Sequence, residues 1–592
     1  VAEIAVVSDT GEPILPTLLD SVYAAVSTEP GRTTTQSRLQ EDINSVFATG
    51  YFSNVRALPE DTPLGVRITF VVTPNPILTQ VQVRDNQVLP QSVVDDIFSP
   101  EYGQTLNLLN LQDGILAIND WYQENGYVLA QVTPARQVSD DGVVTLIASE
   151  GVIEEITIRY ISADGQTEDE DGNPITGKTR DFIVTREMQS QPGDVFQEQT
   201  IQQDLQRVFG LGIFEDVRLS LDPGEEDPRK VNVVVNIAER NSGSIGAAVG
   251  FNLTGNIFGS VSYQQTNLGG NDQDLTAEVQ LSTDDLLFDV SFTDPWIAGD
   301  PYRTSYTVNA FTNRAISLVF DNGPINVPTP DGNEVRILRR GGGVSFGRPL
   351  NNGWSASLGM NYQRVSSREP GGSLVPLDAD GNPYTFSASK NPDQAFDDLI
   401  TIPFSVVRDL RDNPLNATRG SLLRLGTEQT IPLGAGSILY NRLNAGYSYY
   451  IPVNLLGTGD FPETIALNFQ AGTVLGDLPP YNAFVLGGVN SIRGWEEGSV
   501  ADGRSYVQGT LEYRFPLFTS FLGGALFFDF GSALGTQSAV PGNPGETRGK
   551  PGSGFGYGPG VRINTPLGVL RIDYGFNNEG GSRIGFGIGE RF

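Results

Sequence analysis

Neither Cys nor His occurs in this chain of 592 residues. Disulfides, Cys/His zinc sites, thiol nucleophiles and Ser–His–Asp triads are therefore excluded. Carboxylates and guanidiniums remain, and two groupings of them stand out. The first is the acidic run Thr167-Glu168-Asp169-Glu170-Asp171-Gly172-Asn173. A calcium loop starting at Asp169 needs an acid at its twelfth position, where Arg180 stands, so the run reads as a solvated turn and no metal is expected. The second is Arg493, in Ser491-Ile492-Arg493-Gly494-Trp495, within a long Gly-rich connection, Val474–Val500. The next two strand patterns each carry an acid, Glu512 and Asp529, on the side opposite their apolar residues. If the connection folds inward, one rigid guanidinium fork can reach both carboxylates. That is the chemistry of an ion-pair lock. With no nucleophile and no phosphate loop beside it, neither an enzyme nor a cofactor is expected.

Formal charge is −32, of which residues 1–240 hold −23 (15 basic, 38 acidic) and the rest −9. A surface this acidic repels nucleic acid and anionic lipid headgroups. No run of eighteen apolar residues marks a transmembrane helix, which leaves open a barrel of alternating strands. No basic segment with an apolar core opens the chain, so any signal peptide is expected to have been removed.

The first 240 residues contain one unit three times. Arg38–Val55, Leu111–Tyr127 and Ile201–Val217 align. Each has apolar residues at helical spacing (Leu39, Ile43, Val46 and Phe47 in the first) running to a glycine, Gly50, Gly126 or Gly212, where the helix should stop. Strand-like stretches precede and follow each, so each unit reads β-α-α-β-β. The expected boundaries are 1–75, 76–151 and 152–240, with an acidic insertion at 164–178. The arrangement resembles POTRA domains, whose small sheets have an edge that can accept an extended client strand.

After Arg240 the period changes to two. Ile245, Ala247, Val249, Phe251 and Leu253 form one face, Leu275 to Leu281 another, and Trp354, Ala356, Leu358, Met360 and Tyr362 a third. About sixteen such segments span 241–592, as expected for an all-β transmembrane barrel of antiparallel strands with the loop 474–500 turned inward. Trp296, Tyr302, Tyr449, Tyr450, Tyr513, Phe515 and Phe518 are expected to form interfacial girdles. Gly554–Gly560 reads as a Gly-rich strand, and Arg339-Arg340-Gly341-Gly342-Gly343 as a strand start. Ile584, Phe586, Ile588 and Phe592 share a face and look like the C-terminal recognition strand of bacterial outer-membrane proteins, with Glu590 departing from that pattern.

Ile492-Arg493-Gly494-Trp495 is similar to the Val-Arg-Gly-Phe/Tyr motif in the sixth extracellular loop of BamA-type barrels. Glu512 and Asp529 fall where that family places the arginine's acidic partners. Phe292-Thr293-Asp294-Pro295-Trp296 also looks like a turn of that family. Three repeats look most like cyanobacterial and chloroplast outer-envelope members. The resemblance implies a factor that inserts unfolded β-barrel precursors into an outer membrane through a seam between the first strand (Gly243–Leu253) and the last (Arg583–Phe592). It implies residues 1–240 in the periplasm, or a chloroplast outer-envelope location as the alternative. Its partners would be precursors, the bilayer and accessory subunits, with no nucleic acid. The rival reading is a polypeptide-transporting channel of the two-partner-secretion or chloroplast-import type.

Overall fold

The computed structural model describes the chain except residues 135–138, 140, 252–256, 283–284, 458–462, 520, 566–567 and 590. It divides into two units, Val1–Arg240 and Asn241–Phe592. Leu253 and Glu590 lie outside the described residues, as does the side chain of Phe518.

In the first unit one sheet order occurs three times. Glu3–Ser8 runs parallel to Gly65–Pro74, which pairs antiparallel with Phe52–Thr62 on its other side. Gln80–Arg84, Val143–Ser149 and Gln131–Pro134 repeat this, as do Ile153–Tyr160, Val231–Glu239 and Phe214–Pro223. Two helices separate the first and second strands each time: Pro16–Ala25 and Gln36–Phe47, Gln91–Phe98 and Leu108–Glu124, Asp181–Thr185 and Glu198–Gly210. The first repeat shows why. Thr35 caps Gln36–Phe47 by accepting the Arg38 N–H. Val46 meets Leu18, Val22 and Phe70 in the core, and Gly50 takes φ of 82°, open to glycine at no steric cost. That glycine also joins the repeats, because its carbonyl accepts the Leu108 N–H at 2.9 Å. Gly126 accepts from Glu198 N at 3.0 Å in the same way.

A buried carboxylate staples the two helices of the outer repeats. Asp42 accepts from the Ser27 and Thr28 N–H groups at 2.7 and 3.1 Å, and Asp204 from those of Gln189 and Ser190 at 2.8 and 3.0 Å. Burial pushes the Asp42 carboxyl up, but the hydrogen bonds from Thr28 and Ser27 outweigh it and hold it below its usual range. Gly114 stands at this position in the middle repeat, and the Phe98 ring fills the space a side chain would take. In the acidic insertion, Asp169 accepts the N–H groups of Asp171 and Asn173 at 3.0 and 2.8 Å, so its carboxylate closes its own turn.

The second unit is a sixteen-stranded antiparallel sheet whose strands follow chain order, from Gly243–Phe251 to Ser582–Ile588. Outward residues such as Val249, Leu358, Met360, Phe469 and Phe528 are exposed, as alternation requires of a lipid face. The connections 317–335, 369–395, 432–439, 477–504 and 533–552 lie at the end away from the start of Gly243–Phe251. There the connections share one apolar core containing Val319, Phe320, Val375, Tyr384, Tyr481 and Val540, a cap over the far end. Within the cap, Lys550 Nζ donates to Leu318 O at 2.8 Å and lies 3.5 Å from Asp502.

Three expectations need correcting. Tyr450 is buried and faces the lumen, so it is no girdle residue. The last strand ends at Ile588, before Gly589 at φ of 79°. Phe592 therefore does not share the outward face of Ile584, Phe586 and Ile588: it is only 5% exposed, against 73% for Ile588, and packs with Ala417, Tyr450 and Ala466. Third, the strand expected to begin at Arg339 begins at Arg336, within Arg336–Pro349.

Candidate functional site: an ion cluster in the barrel lumen

The connection between Glu463–Gly476 and Ser505–Thr519 folds into the lumen and pairs with itself, Phe484–Leu486 against Ala501–Gly503. Ile492 and Trp495 anchor it in an apolar cluster with Leu486, Val500 and Ala533. Trp495 Nε1 donates to Phe555 O at 3.0 Å, and Asn577 donates to Gly494 O at 2.9 Å. Gly494, at φ of 89°, lies so close to the strand Gly568–Asn577 that a Cβ would sit 2.7 Å from the Phe576 carbonyl. Facing it, a Cβ at Gly556 would overlap the Arg493 carbonyl. The Gly-rich strand is thus the surface against which the loop lies.

This seating delivers Arg493 to its partners with only 2% of its surface exposed. Nε and Nη2 donate to the two oxygens of Asp529 at 2.7 and 3.0 Å, a bidentate fork, and the Arg493 backbone N–H adds a third bond at 3.1 Å. Nη1 donates to Glu512 at 2.7 Å and to Asp573 at 3.4 Å. The guanidinium also lies 3.5 Å from the centroid of Phe527. The structure thus brings Ile492, Arg493, Gly494 and Trp495 together with Glu512 and Asp529.

Three further members were not anticipated. Arg562 bridges Glu512 and Asp573 at 3.1 and 2.7 Å. Alternation carried the signal for both new residues, since Leu570, Ile572 and Tyr574 face outward and place Asp573 inward, as Val561 and Ile563 do for Arg562. Arg591, beyond the last strand, donates to Asp529 at 2.9 Å and to the Ser491 carbonyl. Nothing in the period announces it, because alternation ends at Ile588. Next to it Phe592 accepts from the Tyr450 hydroxyl, and the Arg514 guanidinium lies 5.5 Å from its ring centroid. With Arg514 on Glu512 at 2.9 Å, four guanidiniums meet three carboxylates. The cluster ties the loop to four strands and to the tail, and its carboxylates are taken up by cations rather than free to shuttle protons.

Ile584, Phe586 and Ile588 sit elsewhere, on the outward face of the last strand. That strand pairs with Gly568–Asn577 alone, and Gly243–Phe251 with Ile257–Gln265 alone. Among the described residues no pairing joins the two end strands.

The model of the Omp85 superfamily domain matches residues 267–592, that of the POTRA domain, ShlB-type, residues 77–151, and that of the surface antigen variable number repeat residues 174–240. The chain is similar to outer envelope protein 80, chloroplastic, of Oryza sativa subsp. japonica, 32% identical over 601 residues covering 100% of this chain and 86% of that protein. It is also similar to protein TOC75-3, chloroplastic, of Arabidopsis thaliana, 25% identical over 97% of this chain and 77% of the relative. The crystal structure of BamA from Haemophilus ducreyi lacking POTRA domains 1–3 has the same fold, with a TM-score of 0.58, 19% identity, and coverage of 87% of this chain and 99% of that one.

Proposed function

The chain belongs to the Omp85 superfamily, and from that premise we propose that it assembles outer-membrane proteins, binding unfolded β-barrel precursors by strand addition and inserting them through the seam between its first and last strands. It is an outer-membrane protein with residues 1–240 on the periplasmic side, the chloroplast outer envelope being the alternative location.

One observation carries the reading: Gly243–Phe251 and Ser582–Ile588 each leave one edge without a partner among the described residues. In hydrocarbon every unpaired backbone group costs several kcal/mol, so an unpaired strand edge is a high-energy feature that an incoming strand relieves. No nucleotide is needed; closure of the client's own hydrogen bonds drives the step. Capture has a candidate surface in the first repeat. Phe52–Thr62 is an edge strand, and beside it Gln36–Phe47 and the sheet frame a groove of about 670 Å³ lined by Leu39, Ile43, Ala57, Pro59 and Ile68. An extended chain there would gain backbone bonds from the edge and apolar contacts from the helix.

The second reading, a channel that passes polypeptide through the lumen, predicts a different client. Its path would have to displace the cap and the inward loop that close the far end. Photo-crosslinkers at Ala57 and at Ala247 distinguish the two in native membranes. Unfolded barrel precursors captured at both positions support assembly, whereas a soluble passenger captured instead contradicts it.

A further inference from the structure

The chain as a whole is acidic, yet one stretch of its lipid-facing surface is basic. Strands Ser305–Ile316, Arg336–Pro349 and Trp354–Arg368 are neighbours in the sheet. Val308, Phe346, Leu358, Met360 and Tyr362 mark their outward face. The same alternation places Arg314, Arg340, Arg364 and Arg368 on that face, toward the far end. Arg340 stands directly opposite Arg364, and Arg314 is opposite Leu338, which has the parity of Arg340 but is covered, at 4% exposure.

Like charges directly opposite on one face of a sheet are destabilising unless something counters them. Asp398, opposite Arg364, counters that residue with a bidentate pair at 2.8 and 3.0 Å. Arg368 donates to neutral acceptors, Ser366 Oγ at 3.1 Å and Gly372 O at 2.6 Å, which leave its charge in place. Among the described residues Arg340 has neither a hydrogen bond nor an ion pair, and it is exposed. Arg314 has no ion pair, and its Nε is buried without a hydrogen-bond acceptor. Arg336, directly opposite Arg368 at the same parity, is buried and has Glu334 at 3.6 Å, so two carboxylates stand against five guanidiniums.

The level of the patch says what meets it. From Trp354 to Arg364 the outward face runs ten residues, about 33 Å of strand at about 3.3 Å each. Tilted as barrel strands are, this rises about 25 Å, the height of the apolar band between the two headgroup layers. Trp354 therefore lies at one interface, and Tyr362 with Arg364 at the other. Below the arginines the wall is apolar, through Ala310, Gly342 and Val344. The anion chemistry held at that level, beside an apolar wall, is that of a lipid headgroup.

We infer that Arg314 and Arg340, flanked by Arg364 and Arg368, form a binding surface for the phosphate-bearing headgroup of an anionic lipid in the far leaflet. The overall negative charge does not oppose this, because it is screened beyond about 8–10 Å while the guanidiniums touch the headgroup. The surface lies on strands five to seven of the sheet, away from the end strands, so it goes beyond the assembly reading and does not depend on it.

The test uses the full chain in nanodiscs of equal phosphatidylglycerol and phosphatidylcholine. Lipids that stay bound after transfer to mild detergent are counted by native mass spectrometry, with heat-modifiable migration confirming that each variant is folded. Wild type should retain phosphatidylglycerol over phosphatidylcholine. Arg340→Gln should lower that ratio about five-fold, Arg314→Gln with Arg340→Gln should lower it further, and Arg340→Lys should keep most of it. An excess of inorganic phosphate should leave it unchanged. Equal retention of the two lipids by wild type overturns the inference whatever the variants do. So does an unchanged ratio in the folded double variant, and displacement by inorganic phosphate would assign the arginines to a soluble anion instead.

Discussion

The two ends of the barrel sheet are built differently. The strands from Glu463–Gly476 to Gly568–Asn577 face a lumen packed with an inward loop and seven paired ionic groups, and two of them run 14 and 15 residues. The first four strands, Gly243–Phe251, Ile257–Gln265, Asp274–Ser282 and Leu286–Asp294, have nine residues each. None of their residues joins the lumen cluster, and Gly243–Phe251 is exposed along most of its length. The strand next to the last, Gly568–Asn577, is tied into the cluster through Asp573, whereas the seven-residue last strand and the first four strands contribute nothing to it. On the proposed lateral route, that asymmetry supplies a wall tied by ion pairs to open against and a thin one to move.

The largest effect should come from removing the centre of the rigid wall. Arg493→Ala leaves Asp529 and Glu512 without their shared cation and should cost about 3–5 kcal/mol. Proteolysis within 477–504 should rise sharply while the barrel keeps its heat-modifiable migration, and precursor assembly should fall. Gly556→Ala drives a methyl into the Arg493 carbonyl and should lift the loop at about 1–3 kcal/mol, loosening the same segment with every charge intact. Arg591→Ala should do less, about 1–3 kcal/mol, because Asp529 keeps the Arg493 fork. It should release the tail but not the loop, seen as protease access after Ile588 with 477–504 still protected.

The smallest effect concerns the cap. Burial pushes the Lys550 ammonium down to about 8, against Asp502, which favours its charge. The opened cap then binds more protons than the closed one between pH 8 and the ordinary lysine value of 10.5. The closed cap gains stability as pH rises through that window. Protease resistance of 533–552 should increase from pH 7.5 to 9.5, and Lys550→Met should flatten that slope.

Period and parity made most of this legible. Three helical stretches ending in glycine marked the repeats, and alternation placed Glu512 and Asp529 inward beside an arginine-bearing loop. The same rule would have found Asp573 and Arg562, but without a loop motif to point at them they read as ordinary lumen charges. Tyr450 and Phe592 depart from the alternating pattern for a physical reason. Outward aromatics and inward aromatics obey the same composition at strand ends, and only the left-handed turn at Gly589, where the strand gives out, sends Phe592 inward onto Tyr450. The pressing of the loop onto Gly556 was likewise hidden, since a glycine that admits a neighbouring backbone looks like any other in a Gly-rich strand.

The most direct test of the account is to close the seam covalently. In this Cys-free chain, Ala247→Cys with Phe586→Cys and the neighbouring outward pairs place thiols on both end strands. The oxidised, cross-linked protein should be folded yet unable to insert precursors, with activity returning on reduction. Full assembly activity by the cross-linked protein would contradict a lateral route.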